Sequence, residues 1–323
     1  MTCTRAGKSY PRAHGTDMLG SARNNLATSD GLDSNGHVEI SIASLIYKST
    51  RFADAVYESI NEHTPQLRSQ GAEFYFVAND ATRNVIDHLK RKCYKHYVNV
   101  NPVLTPDRLR KNGFAPPEYI RRVYRGYNFG IRKARGEIVV LVNSDNFFSP
   151  NWLESLLKHL TRDRIVCSQL VERKHPKYAI FPGAYHAEFG NHPDNFRKSD
   201  FVDYCQKTAI EGIRDGGAYM PCAFHKDLAM RVGLYPEGNV LVRNAWHFSL
   251  YRSAQFPGEG YWSRKLKRLK IIMWRNLRSY FNRTTSIMTG DAYFFDKLAR
   301  LGVKHVTALD SLVYHLKEGE MDE

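Results

Sequence analysis

Asp80, Asp145, Asp291 and His315 are the residues of this chain whose types and positions could do chemistry together. Asp145 follows Ile138-Val-Val-Leu-Val142, a run too short for a helix and bounded by polar residues. Such a run predicts a strand buried on both faces. Polarity then arrives at once, with Asn143, Ser144, Asp145 and Asn146. In open α/β sheets, ligands sit beyond the carboxyl ends of the strands. A carboxylate at such an exit can hold a hard cation through oxygen. Asp80 closes a second apolar run, Glu73–Ala78, through Asn79. Asp291 opens a helical stretch after Thr289 and Gly290, and His315 follows a last strand, Val303–Ala308. A lone Asp after a strand caps a helix more often than it binds a metal. A lone His is more often a plain polar residue. The order of these residues along the chain is what joins them.

That order needs strands and helices to position it. Val38–Ile46 reads as a first strand with a polar exit from Tyr47 to Thr50, where Thr50 can cap a helix carrying Phe52, Val56, Tyr57 and Ile60. Glu73–Ala78 is a second strand, followed by a helix with Val85, Ile86 and Leu89, and His96–Val100 is a short third strand. Strand–helix steps in this register predict a parallel sheet with helical crossovers. Pro102–Pro117 reads as a loop. Glu118–Ala134 reads as a helix stopped by Gly136. After the Asp145 turn, Ser149 can cap a helix, Pro150 suits its first turn, and Trp152, Leu153, Leu156, Leu157 and Leu160 form its apolar face. Ile165–Leu170 is a further strand. Gly216–Phe224 is a strand entering a helix near Lys226–Val232, and Thr289–Leu301 is a helix.

A chain of 323 residues can bury a sizeable core. Its formal net charge of +14 favours a polyanionic partner: nucleotide, nucleic acid or an anionic membrane surface. Five cysteines form no Cys-x-x-Cys pair, which predicts reduced thiols in a cytoplasmic protein. No apolar run suits a transmembrane helix and no secretory signal is seen. Residues 1–36 are rich in Ser, Thr, Asn, Gly and charge and read as a disordered tail. Trp262–Phe281 alternates Lys and Arg with Trp, Leu, Ile and Met. Two readings of it stand: a basic amphipathic helix lying in a membrane interface, or a solvated helix whose apolar face docks on the domain.

Taken together, these stretches resemble the family 2 glycosyltransferases of the GT-A fold, from Val38 to His315. Phe76-Val-Ala-Asn-Asp80 is similar to the segment ending in a nucleotide-contacting Asp. The most specific stretch is Tyr127-Asn-Phe-Gly-Ile-Arg-Lys-Ala-Arg-Gly-Glu-Ile-Val-Val-Leu-Val-Asn-Ser-Asp-Asn146. It looks like the family's Asn-x-Gly helix running into its Asp-x-Asp strand. Gly290-Asp291 stands in the place of a Glu-Asp pair, and His315 where many members place a metal-binding His. The resemblance implies an α/β fold. A Rossmann-like nucleotide-binding half with a mixed central sheet (37–170) joins an acceptor-binding half (171–323).

It also implies a nucleotide-sugar donor, with uridine first and guanosine or deoxythymidine in the same outline. Mn2+ or Mg2+ would be held by Asp145 and His315, with Asp291 as general base. Ser44, Tyr47, Asp80, Asn128, Lys133, Asn143 and Ser144 would contact the nucleotide. The implied acceptor is a glycan, lipid-linked or protein hydroxyl, with a possible peripheral contact to a membrane. Two departures stand out: Asn143 replaces the first Asp of Asp-x-Asp, and Gly290 replaces Glu. They keep open a second reading, a catalytically silent nucleotide-sugar or glycan-binding module. A nucleic-acid-binding reading rests on charge alone, without a motif, so no nucleic-acid partner is expected.

Overall fold

The apolar runs become strands of one mixed sheet in the computed structural model. It describes residues 38–69, 71–176, 179–242 and 286–317, with Leu266, Leu269 and Met273 besides. In chain order the elements are β1 (Ile40–Ile46), α1 (Thr50–His63), β2 (Ala72–Asn79), α2 (Arg83–Arg91), β3 (His96–Asn99), α3 (Pro106–Lys111), β4 (Phe114–Ala115) and α4 (Glu118–Lys133). Next come β5 (Ile138–Val142), β6 (Asn146–Phe148), α5 (Trp152–His159), β7 (Arg164–Glu172), β8 (Tyr185–His186), α6 (Lys198–Thr208) and β9 (Ile213–Asp215). Then follow β10 (Cys222–His225), α7 (Lys226–Arg231), β11 (Asn239–Val242), β12 (Ser286–Met288), α8 (Gly290–Arg300) and β13 (Lys304–His315).

The main path of the sheet runs β3-β2-β1-β5-β10-β7-β13-β6. The first four strands are parallel, β10 is antiparallel to both of its neighbours, and β13 is parallel to β7. A smaller antiparallel sheet, β12-β11-β4, stands apart. Side chains alternate across a strand, so β5 feeds two cores. Val140 and Val142 join Phe52, Val56 and Trp152. Val139 and Leu141 join Tyr127, Ile131 and Phe294. The residue-170 division falls inside β7, and the main sheet continues across it.

Several local expectations change. The last strand does not stop at Ala308 but runs to His315, with a bulge between Ala308 and Leu312 in its pairing with β7. Asp310 and Ser311 fall in that bulge, pairing resumes with β7 at Leu312 and with β6 at Val313, and the Ser311 hydroxyl donates to Trp152 O at 2.8 Å. Ser149 does not cap α5. Its N–H goes to Leu312 O, and left-handed Asn151 takes the cap position. Ser49, not Thr50, caps α1, accepting from Phe52 N at 3.3 Å. The Pro102–Pro117 stretch holds a short helix capped by Thr105, and strand β4. Cys93 is disulfide-bonded, against the expectation of all-reduced thiols, while Cys167, Cys205 and Cys222 are free and buried. The N-terminal stretch 1–36 lies outside the described residues. So does segment 262–281, apart from Leu266, Leu269 and Met273, which are helical and exposed. Among the described residues, no helix is long and apolar enough to cross a membrane.

One buried carboxylate ties the parallel half together. Glu73 on β2 accepts from Ser41 Oγ (2.6 Å), Lys95 Nζ (2.5 Å), Arg135 N (3.0 Å) and Arg135 Nε (2.9 Å). Ser41 Oγ in turn accepts from Gly136 N. A Cβ on Gly136 would stand 2.5 Å from Glu39 O, so this turn requires glycine. Burial pushes the Glu73 pKa up, but the hydrogen bonds win and hold it at about 2. A depressed carboxyl stabilises the fold above its unfolded pKa of 4.5, and that stability is lost as pH falls toward 2. Glu73→Gln is expected to cost about 2–4 kcal/mol at pH 7. In denaturant melts the gap from wild type should narrow steadily toward acid. A gap that stays constant with pH would assign the loss to packing instead.

Candidate functional site

Three strand ends and one helix build the site. The exits of β1, β2 and β5 and the facing side of α4 enclose a cavity of about 440 Å³. Its lining includes Tyr47, Asn79, Asp80, Tyr119, Arg122, Tyr127, Asn143, Ser144 and Asp145. Asp80 and Asp145, both singled out in the sequence, stand at the exits of β2 and β5. Asp80 adopts a left-handed backbone at the end of β2, which Asp tolerates better than most residues. Its carboxylate accepts from Asn101 N (2.7 Å) and Asn101 Nδ2 (2.9 Å), and Arg122 stands 3.8 Å away. Asn101 and Arg122 went unread in the sequence, because Asn101 lies beyond β3 and Arg122 sits among helix arginines.

Asn143 is held through its side-chain oxygen and its backbone. Its Oδ1 accepts from Tyr127 Oη at 2.6 Å, and its N–H donates to Asn146 Oδ1. The remaining expected nucleotide contacts lie elsewhere. Ser44 is fully buried on β1 with a partnerless hydroxyl, and does not line the cavity. Asn128 is buried and latches Tyr235, donating to its carbonyl and accepting its N–H, both at 2.9 Å. Lys133 is exposed at the end of α4, over the rings of Tyr97 and Phe129.

His315 reaches Asp145 through the sheet. β13 pairs antiparallel with β6, setting His315 opposite Asn146, and Leu316 N donates to Asp145 O. His315 Nε2 then lies 3.1 Å from Asp145 Oδ2. On its other side, Nδ1 meets Glu172 Oε1 at 2.9 Å. Glu172 ends β7 and is buried, with Lys317 Nζ at 2.6 Å and Phe181 N donating at 2.6 Å. Burial opposes charge on the imidazole, but the Asp145 and Glu172 carboxylates outweigh it and push its pKa up to about 10. Burial likewise pushes the Glu172 pKa up, yet the bonds from His315, Lys317 and Phe181 bring it below the usual value. The sequence reading ends this strand at Leu170, and nothing local links Glu172 to position 315.

Among the described residues no group of three or more His, Cys, Asp or Glu is set to hold a metal ion. Asp145 and His315 still fit a divalent cation as an open pair. One oxygen and one nitrogen are a donor pair that suits Mn2+, and the remaining ligand positions would be left open. Glu172 holds Nδ1, which leaves Nε2 facing Asp145, the arrangement that orients a metal-binding histidine.

Asp291 opens α8, whose cap is Thr289. It does not line the cavity, but Tyr127, which does, feels the charge of both Asp291 and Asp145. Desolvation raises the Asp291 pKa to about 6, against a hydrogen bond from Tyr124 that lowers it.

The model described as Glycosyl transferase family 2 matches residues 118–210, from the start of α4 past α6. No curated protein matches the chain. Among solved structures it is similar to the mannosyltransferase PcManGT from Pyrobaculum calidifontis in complex with GDP-Man and Mn2+. That match has 13% identity, 88% of this chain, 58% of that one and a TM-score of 0.46. It is also similar to GalNAc-T7 with UDP, GalNAc and Mn2+, at 13% identity, 88% of this chain, 44% of that one and a TM-score of 0.44. A third is glucosyl-3-phosphoglycerate synthase from Mycobacterium tuberculosis, at 16% identity, 41% of this chain, 43% of that one and a TM-score of 0.30. The chain thus spans less than two thirds of the length of each. The matched segment holds α4, β5 and the Asp145 turn, so the part of the chain similar to family 2 glycosyltransferases is the part that builds one wall of the cavity.

Proposed function

We propose that the protein is an inverting, metal-dependent glycosyltransferase. It moves a sugar from a nucleotide-sugar, UDP-linked, to a hydroxyl of a glycan, lipid-linked or protein acceptor. The observation that carries this reading is the meeting of His315 and Asp145 beside the cavity that Asp80 also lines. Asp80, held by Asn101, offers its remaining acceptor capacity to the base or ribose. Arg122 adds positive charge, and Tyr47 and Tyr119 offer ring surface. Asp145 and His315 would hold Mn2+ or Mg2+. A bound cation neutralises the charge that gathers on the departing diphosphate.

Asp291 takes the proton from the acceptor hydroxyl. The acceptor oxygen forms a bond to the anomeric carbon as the bond from that carbon to the diphosphate oxygen breaks. The bonding pair leaves on the nucleoside diphosphate. Attack opposite the leaving group inverts the anomeric centre. A carboxyl with a pKa of about 6 is ionised at neutral pH and still basic enough to assist.

A panel of nucleotide-sugars with Mn2+, scored for diphosphate release, tests the assignment. One donor, or a small set sharing a base, is expected to be turned over. Tight nucleotide binding without release from any donor, with glycan and lipid-linked acceptors supplied, would make the protein a silent binding module instead.

A further inference from the structure

The carboxylate that opens α8 is steered from another helix. Position 290 is glycine for a steric reason. A Cβ there would stand 2.2 Å from Tyr124 Cε2 and 2.6 Å from its Cζ. The ring of Tyr124 thus fills the space that a side chain before Asp291 would need. That ring is itself fixed. It stacks on Tyr235 at 5.7 Å and 7°, and Tyr235 stacks on Phe294 of α8 at 4.0 Å. The Tyr124 hydroxyl accepts from Asp291 N at 3.1 Å and hydrogen-bonds to the Asp291 side chain. One hydroxyl can accept and donate at once, so it fixes the backbone and the carboxylate of Asp291 together.

We propose that Tyr124 is the positioning residue for the Asp291 base, supplying from α4 the hold that Gly290 cannot. The inference rests on the proposed role of Asp291 in glycosyl transfer. The titratable groups that feel Asp291 are Tyr124 and Tyr127 on α4, Tyr235 after α7 and Cys167 on β7. Burial pushes the pKa of each upward, so all four are neutral where the enzyme works. Among the described residues, the Tyr124 hydroxyl is the group placed to set both the direction and the basicity of this carboxylate.

Tyr124→Phe keeps the ring beside Gly290 and removes only the hydroxyl. Its kcat is expected to fall about tenfold or more with the donor KM little changed. The acid limb of kcat/KM should move up by roughly one pH unit, the size of one hydrogen bond to a charged group. A melting temperature that drops while the limb stays in place makes Tyr124 a packing residue and overturns the proposal. An exchange gives a second test. Tyr124→Ala opens the space, and Tyr124→Ala with Gly290→Glu puts an acidic side chain into it. The double variant is expected to be more active than Tyr124→Ala alone, and equal or lower activity counts against the proposal.

A readout without turnover separates the two levels of the argument. Melting temperatures of wild type, Tyr124→Phe, Asp291→Asn and their combination should show coupling at pH 8 that vanishes at pH 4.5, where the carboxyl is protonated. Absent coupling overturns the proposal whatever the donor panel shows. An active donor with coupling but an unmoved limb sinks the positioning role alone. A donor panel silent throughout sinks the glycosyl-transfer reading, and the proposal with it.

Discussion

Asp291→Asn is expected to lower sugar transfer by about 10²–10⁴-fold, the usual worth of a general base, and to make the folded protein more stable at pH 8. The two effects have one cause. Desolvation at the start of α8 raises the Asp291 pKa from 3.8 to about 6. Between those values the folded state holds a proton that the unfolded state has released. Stability therefore falls as pH rises from about 4 through 6 and stays reduced above. A shift of about 2 units corresponds to about 3 kcal/mol. The side chain keeps some solvent contact, so the recovery expected from a neutral amide is about 1–3 kcal/mol. Asparagine can still accept from Tyr124. Denaturant melts at pH 4.5 and pH 8 check this: the variant should gain on wild type only at the higher pH. Activity should fall on the acid side of about pH 6 in wild type, as the base takes up its proton. Full transfer by Asp291→Asn would remove Asp291 from the reaction.

Asp145→Ala and His315→Ala should each cost about 10²–10³-fold in kcat, since a bound cation contributes several kcal/mol of charge stabilisation. Chelation of wild type should abolish transfer, and added Mn2+ should restore it. Glu172→Gln is the subtler variant. It leaves Asp145 and His315 in place and removes the carboxylate that holds His315 Nδ1 at 2.9 Å. Its Mn2+ affinity, read by calorimetry, should weaken about 10–100-fold, the usual cost of losing such a partner. Unchanged affinity in Asp145→Ala and His315→Ala together would place the cation elsewhere, and transfer that survives chelation would dispense with it.

The parallel half of the fold and the three strand exits of the cavity were legible because their signals are local. Ile138–Val142 announces two-sided burial by itself, and Asp80 and Asp145 stand directly after such runs. What stayed hidden depends on pairing between distant segments. Nothing near Glu172 shows that β13 will lie beside β7 and hand it His315. Asp310 and Ser311 interrupt the apolar run, so the last strand reads as ending at Ala308. Both fall in the bulge, and pairing resumes beyond them with β7 at Leu312 and with β6 at Val313. Ser44 and Asn128 were assigned to the nucleotide by their place in the pattern. The structure buries both: Ser44 is fully buried on β1, and Asn128 spends its amide on Tyr235. Gly290 looked like a loss at the site until Tyr124, more than 160 positions earlier, proved to fill its space.

β13 also bears on timing. The cavity-lining residues, from Leu45 to Asp145, are all synthesised before the imidazole of His315. Only when Lys304–His315 slots between its two older neighbours does the carboxylate at 145 gain its companion. The seating of one late strand thus decides whether these two side chains meet at all.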